Sequence, residues 1–166
     1  MNRQDDEKEI VDRVYTVCNQ QARYRVLWIV GEPRCGKTSL SKKLCQNNNW
    51  KYINFTLEPG YLDSLIGREE VYRPADFLED LYRWCNEANS EYIFFDELVN
   101  AWLMVWGYRY EQAWLAGIRY TREFFLRVGR APNLQAGVIF VTRARTADKL
   151  LEIFPQMNPN HIFELR

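Results

Sequence analysis

Two rhythms of apolar and polar positions run along this chain. Short apolar blocks of strand length occur at 26–30, 50–55, 91–97, 137–143 and 161–165. Between them, apolar residues recur every three or four positions, the spacing of a helix with one buried face. Ile10, Val11, Val14, Val17 and Cys18 mark such a face within a helix predicted over 5–22, and Asp5, Asp6 and Glu7 suit its positive end. A second helix is predicted from Ser39 through Cys45, closed by the polar break Asn47-Asn48-Asn49. A short helix is predicted over 61–67. A longer one starts at Pro74, a residue that fits a first helical position, with Phe77, Leu78, Leu81, Trp84 and Cys85 on one face. From about 108 to 128, Tyr110, Trp114, Ile118, Thr121, Phe125 and Val128 share a face. A last helix carries Lys149, Leu150, Leu151, Ile153 and Phe154 and stops at Pro155.

Strands alternating with helices predict an α/β protein: a three-layer sandwich around a parallel five-stranded sheet, with right-handed crossovers. The 166 residues fit one domain, with no repeat, low-complexity tract or linker to divide 1–166.

Composition narrows this only a little. Apolar residues make up 47% and aromatic ones 15%, as in a globular chain. Lys+Arg and Asp+Glu both number 22, so no overall field favours nucleic acid. No apolar run approaches the roughly 20 residues of a membrane span. The start Met1-Asn2-Arg3-Gln4-Asp5-Asp6-Glu7 has no signal-peptide core, so a cytoplasmic protein without a membrane partner is expected. The four cysteines, at 18, 35, 45 and 85, lack zinc-ligand spacing and read as free thiols. His161, the one histidine, reads as structural, which leaves Ser/His/Asp and Cys/His catalysis without support.

The most specific stretch is Gly31-Glu32-Pro33-Arg34-Cys35-Gly36-Lys37-Thr38, which fits G-x-x-x-x-G-K-[ST]. It lies where that motif has meaning, after an apolar strand and before a helix. Glycines let the backbone curl so that successive N–H groups cradle a polyphosphate, and the helix dipole points at the same anion. Gly31 through Ser39, namely Gly31, Glu32, Pro33, Arg34, Cys35, Gly36, Lys37, Thr38 and Ser39, are therefore the expected nucleotide-binding residues. Lys37 is expected at the β/γ-phosphates and Thr38 on Mg²⁺. Cys35, at a helix N-terminus, is also a candidate redox-sensitive thiol.

Glu91-Tyr92-Ile93-Phe94-Phe95-Asp96-Glu97 is an apolar run ending in Asp-Glu, the Walker B pattern, roughly 60 residues beyond the loop. A parallel strand would carry Asp96 to its C-terminal tip, where ligands of open α/β sheets bind. Asp96 is expected to hold Mg²⁺ and Glu97 to polarise the attacking water. Solvated acids at a strand end are the plainer alternative.

Residues 98–130 hold Trp102, Trp106, Tyr108, Tyr110, Trp114, Tyr120, Phe124 and Phe125, together with Arg119, Arg122, Arg127 and Arg130. One face must pack on the sheet. The surplus suits a contact with a second copy or a partner protein; a single-stranded nucleic-acid platform uses the same residue types.

With its Asp-Glu strand third in sequence, the chain resembles the additional-strand, catalytic-glutamate division of P-loop NTPases. That resemblance implies the strand order 5-1-4-3-2. Gly31-Glu32-Pro33 is similar to the G-x-P opening of AAA+ proteins, and Val141-Thr142-Arg143 resembles the sensor strand of AAA+ and STAND ATPases. The resemblance implies that Thr142 touches the γ-phosphate or the water and that Arg143 contacts the γ-phosphate; ordinary loop residues are the alternative. A core without the helical lid of AAA+ proteins is expected, and no arginine lies between Pro155 and Asn160. Arg119, Arg122, Arg130, Arg143 and Arg145 remain candidates for a finger acting between subunits. Weak nucleotide affinity that depends on assembly is expected. Tyr52-Ile53-Asn54-Phe55-Thr56-Leu57-Glu58 also looks like the small P-loop ATPase component of BREX (bacteriophage exclusion) systems, which implies antiviral defence with DNA-associated partners.

The expected function is an ATP-binding, Mg²⁺-dependent ATPase acting as a switch or oligomeric motor subunit. ATP is preferred to GTP because no N-K-x-D motif occurs. A small-molecule kinase is the alternative from another class, and Glu97 beside Asp96 argues against it. A nucleotide-binding assembly module with little hydrolysis is the third.

Overall fold

Each of the five apolar blocks forms a strand, and all pair in parallel in one sheet of order β2-β3-β4-β1-β5. Read from the other edge, this is the expected 5-1-4-3-2. The computed structural model describes residues 2–54, 74–97, 122–128 and 135–166. In chain order the elements are α1 (Arg3–Val17), β1 (Val26–Gly31), α2 (Lys37–Asn48), β2 (Lys51–Asn54), α3 (Pro74–Ala88), β3 (Tyr92–Asp96), α4 (Arg122–Val128), β4 (Gly137–Val141), α5 (Ala147–Ile153), a 3₁₀ turn (Pro159–His161) and β5 (Ile162–Leu165).

The strands are buried on both faces, as parallel strands between helix layers must be. Along β1, Val26, Trp28 and Val30 face one core, which α3, α4 and α5 complete through Trp84, Cys85, Phe125, Leu150 and Ile153. Leu27 and Ile29 face the other, completed by Ile10, Val14 and Val17 of α1 and Leu40, Leu44 and Cys45 of α2. Trp28 anchors the first core: it is fully buried, meets Phe125, Phe140 and Phe154 ring to ring, and donates Nε1–H to Tyr24 Oη at 3.1 Å.

Several boundaries differ from expectation for local reasons. α1 begins earlier than residue 5 because Asn2 caps it, its side chain accepting from Gln4 N at 3.1 Å; such a cap contributes about 1 kcal/mol. It ends at Val17 and not at 22: Asn19 Nδ2 donates to the last-turn carbonyls of Tyr15 and Thr16, and Arg25 Nε donates to the carbonyls of Cys18 and Asn19 just beyond the helix. α2 runs past Cys45 to Asn48, and Asn49 stops it in the left-handed conformation (φ 57°) that asparagine tolerates. Trp50 packs into the core just ahead of β2 and is not part of it. The helix predicted over 61–67 lies outside the described residues. So does most of the aromatic segment, of which 122–128 is described and helical.

Candidate functional site

Parallel pairing brings the C-terminal ends of β1, β3 and β4 to one edge, with β4 between the other two. In register, Asp96 stands beside Val141, and Val141 beside Ile29. Two backbone bonds continue past β4 and tie the loop after it to β1: Thr142 N donates to Ile29 O at 3.0 Å and Gly31 N to Ala144 O at 2.9 Å. Side chains that are distant in sequence are thereby held around one cavity.

The loop after β1 curls as a phosphate cradle requires. Arg34 (φ 64°) and Gly36 (φ 96°) both take left-handed backbone, which turns successive N–H groups toward one centre. The backbone favours glycine at 36, where φ is 96°; an added Cβ would meet only the flexible end of Arg3, with Nη2 at 3.3 Å. At Gly31 the limit is space: a Cβ there would lie 2.5 Å from Leu165 O. α2 starts immediately after Gly36 with no side-chain cap, leaving its first N–H groups for an incoming anion. Arg3 of α1 braces the loop from outside, donating Nη2–H to Cys35 O at 2.7 Å.

Lys37 folds over this loop, its ammonium donating to Gly31 O at 2.6 Å and Glu32 O at 3.0 Å. Beside it, Thr38 Oγ1 donates to Asp96 Oδ2 at 2.7 Å, joining the first turn of α2 to the tip of β3. The same Oδ2 accepts from Tyr52 Oη at 2.6 Å, and Asn54 Nδ2 donates to that phenol oxygen at 3.1 Å. Glu97 follows Asp96 in left-handed backbone (φ 63°), which costs about 1–3 kcal/mol in a non-glycine residue. Burial raises the pKa of its carboxyl above the ordinary carboxylate value, and nearby Arg143 partly offsets this. Arg143 Nε donates to Glu97 Oε2 at 3.1 Å.

Pro33, Arg34, Gly36, Lys37, Thr38 and Ser39 form one wall of a cavity of about 520 Å³, while Asp96, Glu97, Val141, Thr142, Arg143 and Arg145 form the rest. All of the sequence-predicted Asp96, Glu97, Thr142 and Arg143 thus meet the Lys37–Thr38 turn. Gly31, Glu32 and Cys35 are not in the cavity wall; they shape the loop from behind it, with Glu32 paired to Arg145 at 3.7 Å. The Thr142 hydroxyl is turned away, donating to Ile29 O at 3.0 Å. Tyr52 and Arg3 were not singled out by the sequence. Tyr52 stood only as one position of the apolar block 50–55 and of the stretch that resembles the BREX component, and Arg3 only as a residue ahead of an acidic helix start.

A hydroxyl beside one carboxylate suits Mg²⁺, a hard cation usually held by one or two carboxylates together with substrate phosphates. Among the described residues no group of three or more His, Cys, Asp or Glu side chains could form an all-protein cage.

The protein has the P-loop NTPase fold. A Walker-type ATPase of Pyrococcus abyssi superposes with a TM-score of 0.51 at 10% identity, covering 99% of this chain and 53% of that one. PCH-2 of C. elegans aligns with a TM-score of 0.49 at 11% identity over 99% of this chain and 42% of its own. Cdc6p of Pyrobaculum aerophilum gives 0.48 at 16% identity over 99% and 45%. The chain therefore spans about half the length of these solved structures. No protein-family model matches the sequence, and no curated protein matches it.

Elsewhere, His161 Nδ1 lies 2.9 Å from Val26 O and its ring packs on Tyr24, a structural setting. The four cysteines are free, with Cys18, Cys45 and Cys85 buried and Cys35 half-buried. Among the described residues no helix is long and apolar enough to cross a membrane.

Proposed function

We propose that this protein is a Mg²⁺-dependent ATPase, a switch or oligomeric motor subunit built on 1–166 as a single domain. The observation that carries the proposal is the Thr38 Oγ1–Asp96 Oδ2 hydrogen bond of 2.7 Å, on a cavity that Lys37 and Glu97 also line. A hydroxyl that donates its proton to Asp96 keeps its oxygen lone pairs for a cation. Thr38 and Asp96 would hold Mg²⁺, which would supply charge neutralisation on the triphosphate.

The chain's own groups supply the rest. The N–H groups of the Gly31–Thr38 loop and the start of α2 bind the polyphosphate. Lys37 exchanges its two carbonyl contacts for phosphate oxygens, a stronger charge-assisted pairing. Glu97 orients a water and accepts its proton as the water oxygen adds to the γ-phosphorus. The bond from that phosphorus to the β–γ bridging oxygen breaks, giving ADP and phosphate. Arg143 meets the γ-phosphate charge once it leaves Glu97; the exposed pair between them is worth only about 0.2–1 kcal/mol, less than a phosphoryl group offers a guanidinium. Thr142 acts through the backbone at Ile29 unless its hydroxyl rotates to the nucleotide.

Glu97 beside Asp96 favours hydrolysis over phosphoryl transfer to a small molecule. The surplus aromatics and arginines of 98–130 support assembly with a second copy or a partner protein. A place in phage defence, near DNA, rests on the resemblance of 52–58, and of the leucine-bearing stretch after it, to the BREX component.

The test compares Glu97→Gln with wild type. An ATPase of this design keeps ATP and loses phosphate release by about 100-fold or more. Equal phosphate release from both proteins contradicts it.

A further inference from the structure

Asp96 is almost fully buried, and one of its oxygens, Oδ2, takes two hydroxyl donors: Thr38 Oγ1 at 2.7 Å and Tyr52 Oη at 2.6 Å. The phosphate-loop motif accounts for the first of these. Nothing in either motif asks for the second.

Its origin is the register of β2 on β3. Tyr52 pairs with Phe94 and Asn54 with Asp96. Positions two apart share a face of a strand, so Tyr52 and Asn54 stand together on the side that meets Asp96. Asn54 Nδ2 donates to the phenol oxygen at 3.1 Å, which directs the phenol's own proton onward to Asp96. Asn54 is itself buried, and Lys42 Nζ stands 5.8 Å from the centre of the Tyr52 ring. The phenol is therefore held from three sides.

We propose that Tyr52 is a positioning residue for a divalent cation, acting through Asp96. The inference rests on the nucleotide site proposed above. Two hydroxyls fill the acceptor capacity of Oδ2, so rotation of the carboxylate breaks both bonds at once. Oδ1 is left as the oxygen that takes the waters of the cation. With Thr38 as the only donor, Asp96 would be tied to the same group that must also ligate the cation, and every adjustment of Thr38 would move the carboxylate. Tyr52 separates the two: it fixes Asp96 from β2, so that Thr38 can settle on the metal without loss of the carboxylate's orientation. Partners behind a metal ligand commonly contribute about 10- to 100-fold in metal affinity.

Tyr52→Phe removes one hydroxyl and keeps the ring. The probe is Mn²⁺, counted by its EPR signal in the presence of protein and a non-hydrolysable ATP analogue. The expected result is a Mn²⁺ dissociation constant about 10- to 100-fold higher for the variant. Binding of the analogue in EDTA stays as in wild type, because it uses the loop and Lys37. Added to Asp96→Ala, Tyr52→Phe changes nothing further. Asn54→Ala, which leaves the phenol but loosens its aim, shifts Mn²⁺ affinity the same way by a smaller factor, and it serves should Tyr52→Phe not fold. Mn²⁺ affinity equal to wild type in both single variants overturns the role of Tyr52. So does an equal loss of analogue binding in EDTA, which would make Tyr52 a support for the fold alone. Wild-type protein that takes up no Mn²⁺ with the analogue contradicts the nucleotide site itself.

Discussion

Arg143 donates its Nε–H to Glu97 Oε2 across 3.1 Å, closing a bridge between the end of β4 and the end of β3 above the cavity. Arg143 is half exposed and Glu97 less so, so the pair is weak and easily exchanged. If Arg143 moves to the γ-phosphate when ATP binds, Arg143→Ala removes a donor from the developing charge. Steady-state phosphate release is then expected to fall about 100-fold, with ATP affinity reduced far less. Faster hydrolysis in the variant would mean that Arg143 only restrains Glu97.

Gly36 is the second point of leverage. An alanine there must adopt φ near 96° and crowd Arg3 Nη2. Gly36→Ala is expected to destabilise the fold by about 1–3 kcal/mol, read as a lower denaturant midpoint, and to weaken ATP binding because the loop opens.

Arg3 acts on the same loop from α1. Its Nη2–H donates to Cys35 O at 2.7 Å, tying the loop to α1 just ahead of α2. A bond of this kind is worth about 0.5–1.5 kcal/mol, so Arg3→Ala is expected to weaken ATP binding about 2- to 10-fold by calorimetry. The shape of the circular dichroism spectrum should not change.

How much of this was visible in the residues themselves follows from what each feature depends on. The strand order followed only from the resemblance to the additional-strand, catalytic-glutamate division. The strands themselves and the meeting of Lys37, Thr38, Asp96 and Glu97 were legible because each rests on a local pattern: an apolar block, a glycine-bearing loop, an acidic pair at a strand tip. Contacts set by packing between distant elements were not. Tyr52 touches Asp96 only because β2 pairs with β3 in one register, and a slip of one residue would send it to the other face. Arg3 meets Cys35 only because α1 and α2 pack on the same side of the sheet. The direction of the Thr142 hydroxyl was equally hidden, since a rotamer that serves the backbone of β1 leaves no trace in Val141-Thr142-Arg143.

The cysteines give a pH signature. Burial pushes the Cys18, Cys45 and Cys85 thiols up from 9.0 to about 12. Unfolded chains lose these protons near pH 9 while the folded protein keeps them, so the unfolded state binds fewer protons there and stability falls as pH rises from about 9 toward 12. The melting temperature is expected to drop across that window. In native protein at pH 8, an alkylating reagent is expected to label Cys35 alone, as mass spectrometry of the peptides would show; labelling of the other three at a similar rate would contradict their burial.

The central claim is that the phosphate loop and the tip of β3 serve one Mg²⁺-bound triphosphate. Calorimetric titration of ATP into wild type and Lys37→Ala, with Mg²⁺ present and with EDTA, addresses it most directly. Wild type is expected to bind one ATP, more tightly with Mg²⁺, and Lys37→Ala to lose about 100-fold or more of that affinity, the scale of a desolvated charge pair left without its partner. No heat of binding in wild type, or the same affinity in both proteins, would contradict the account.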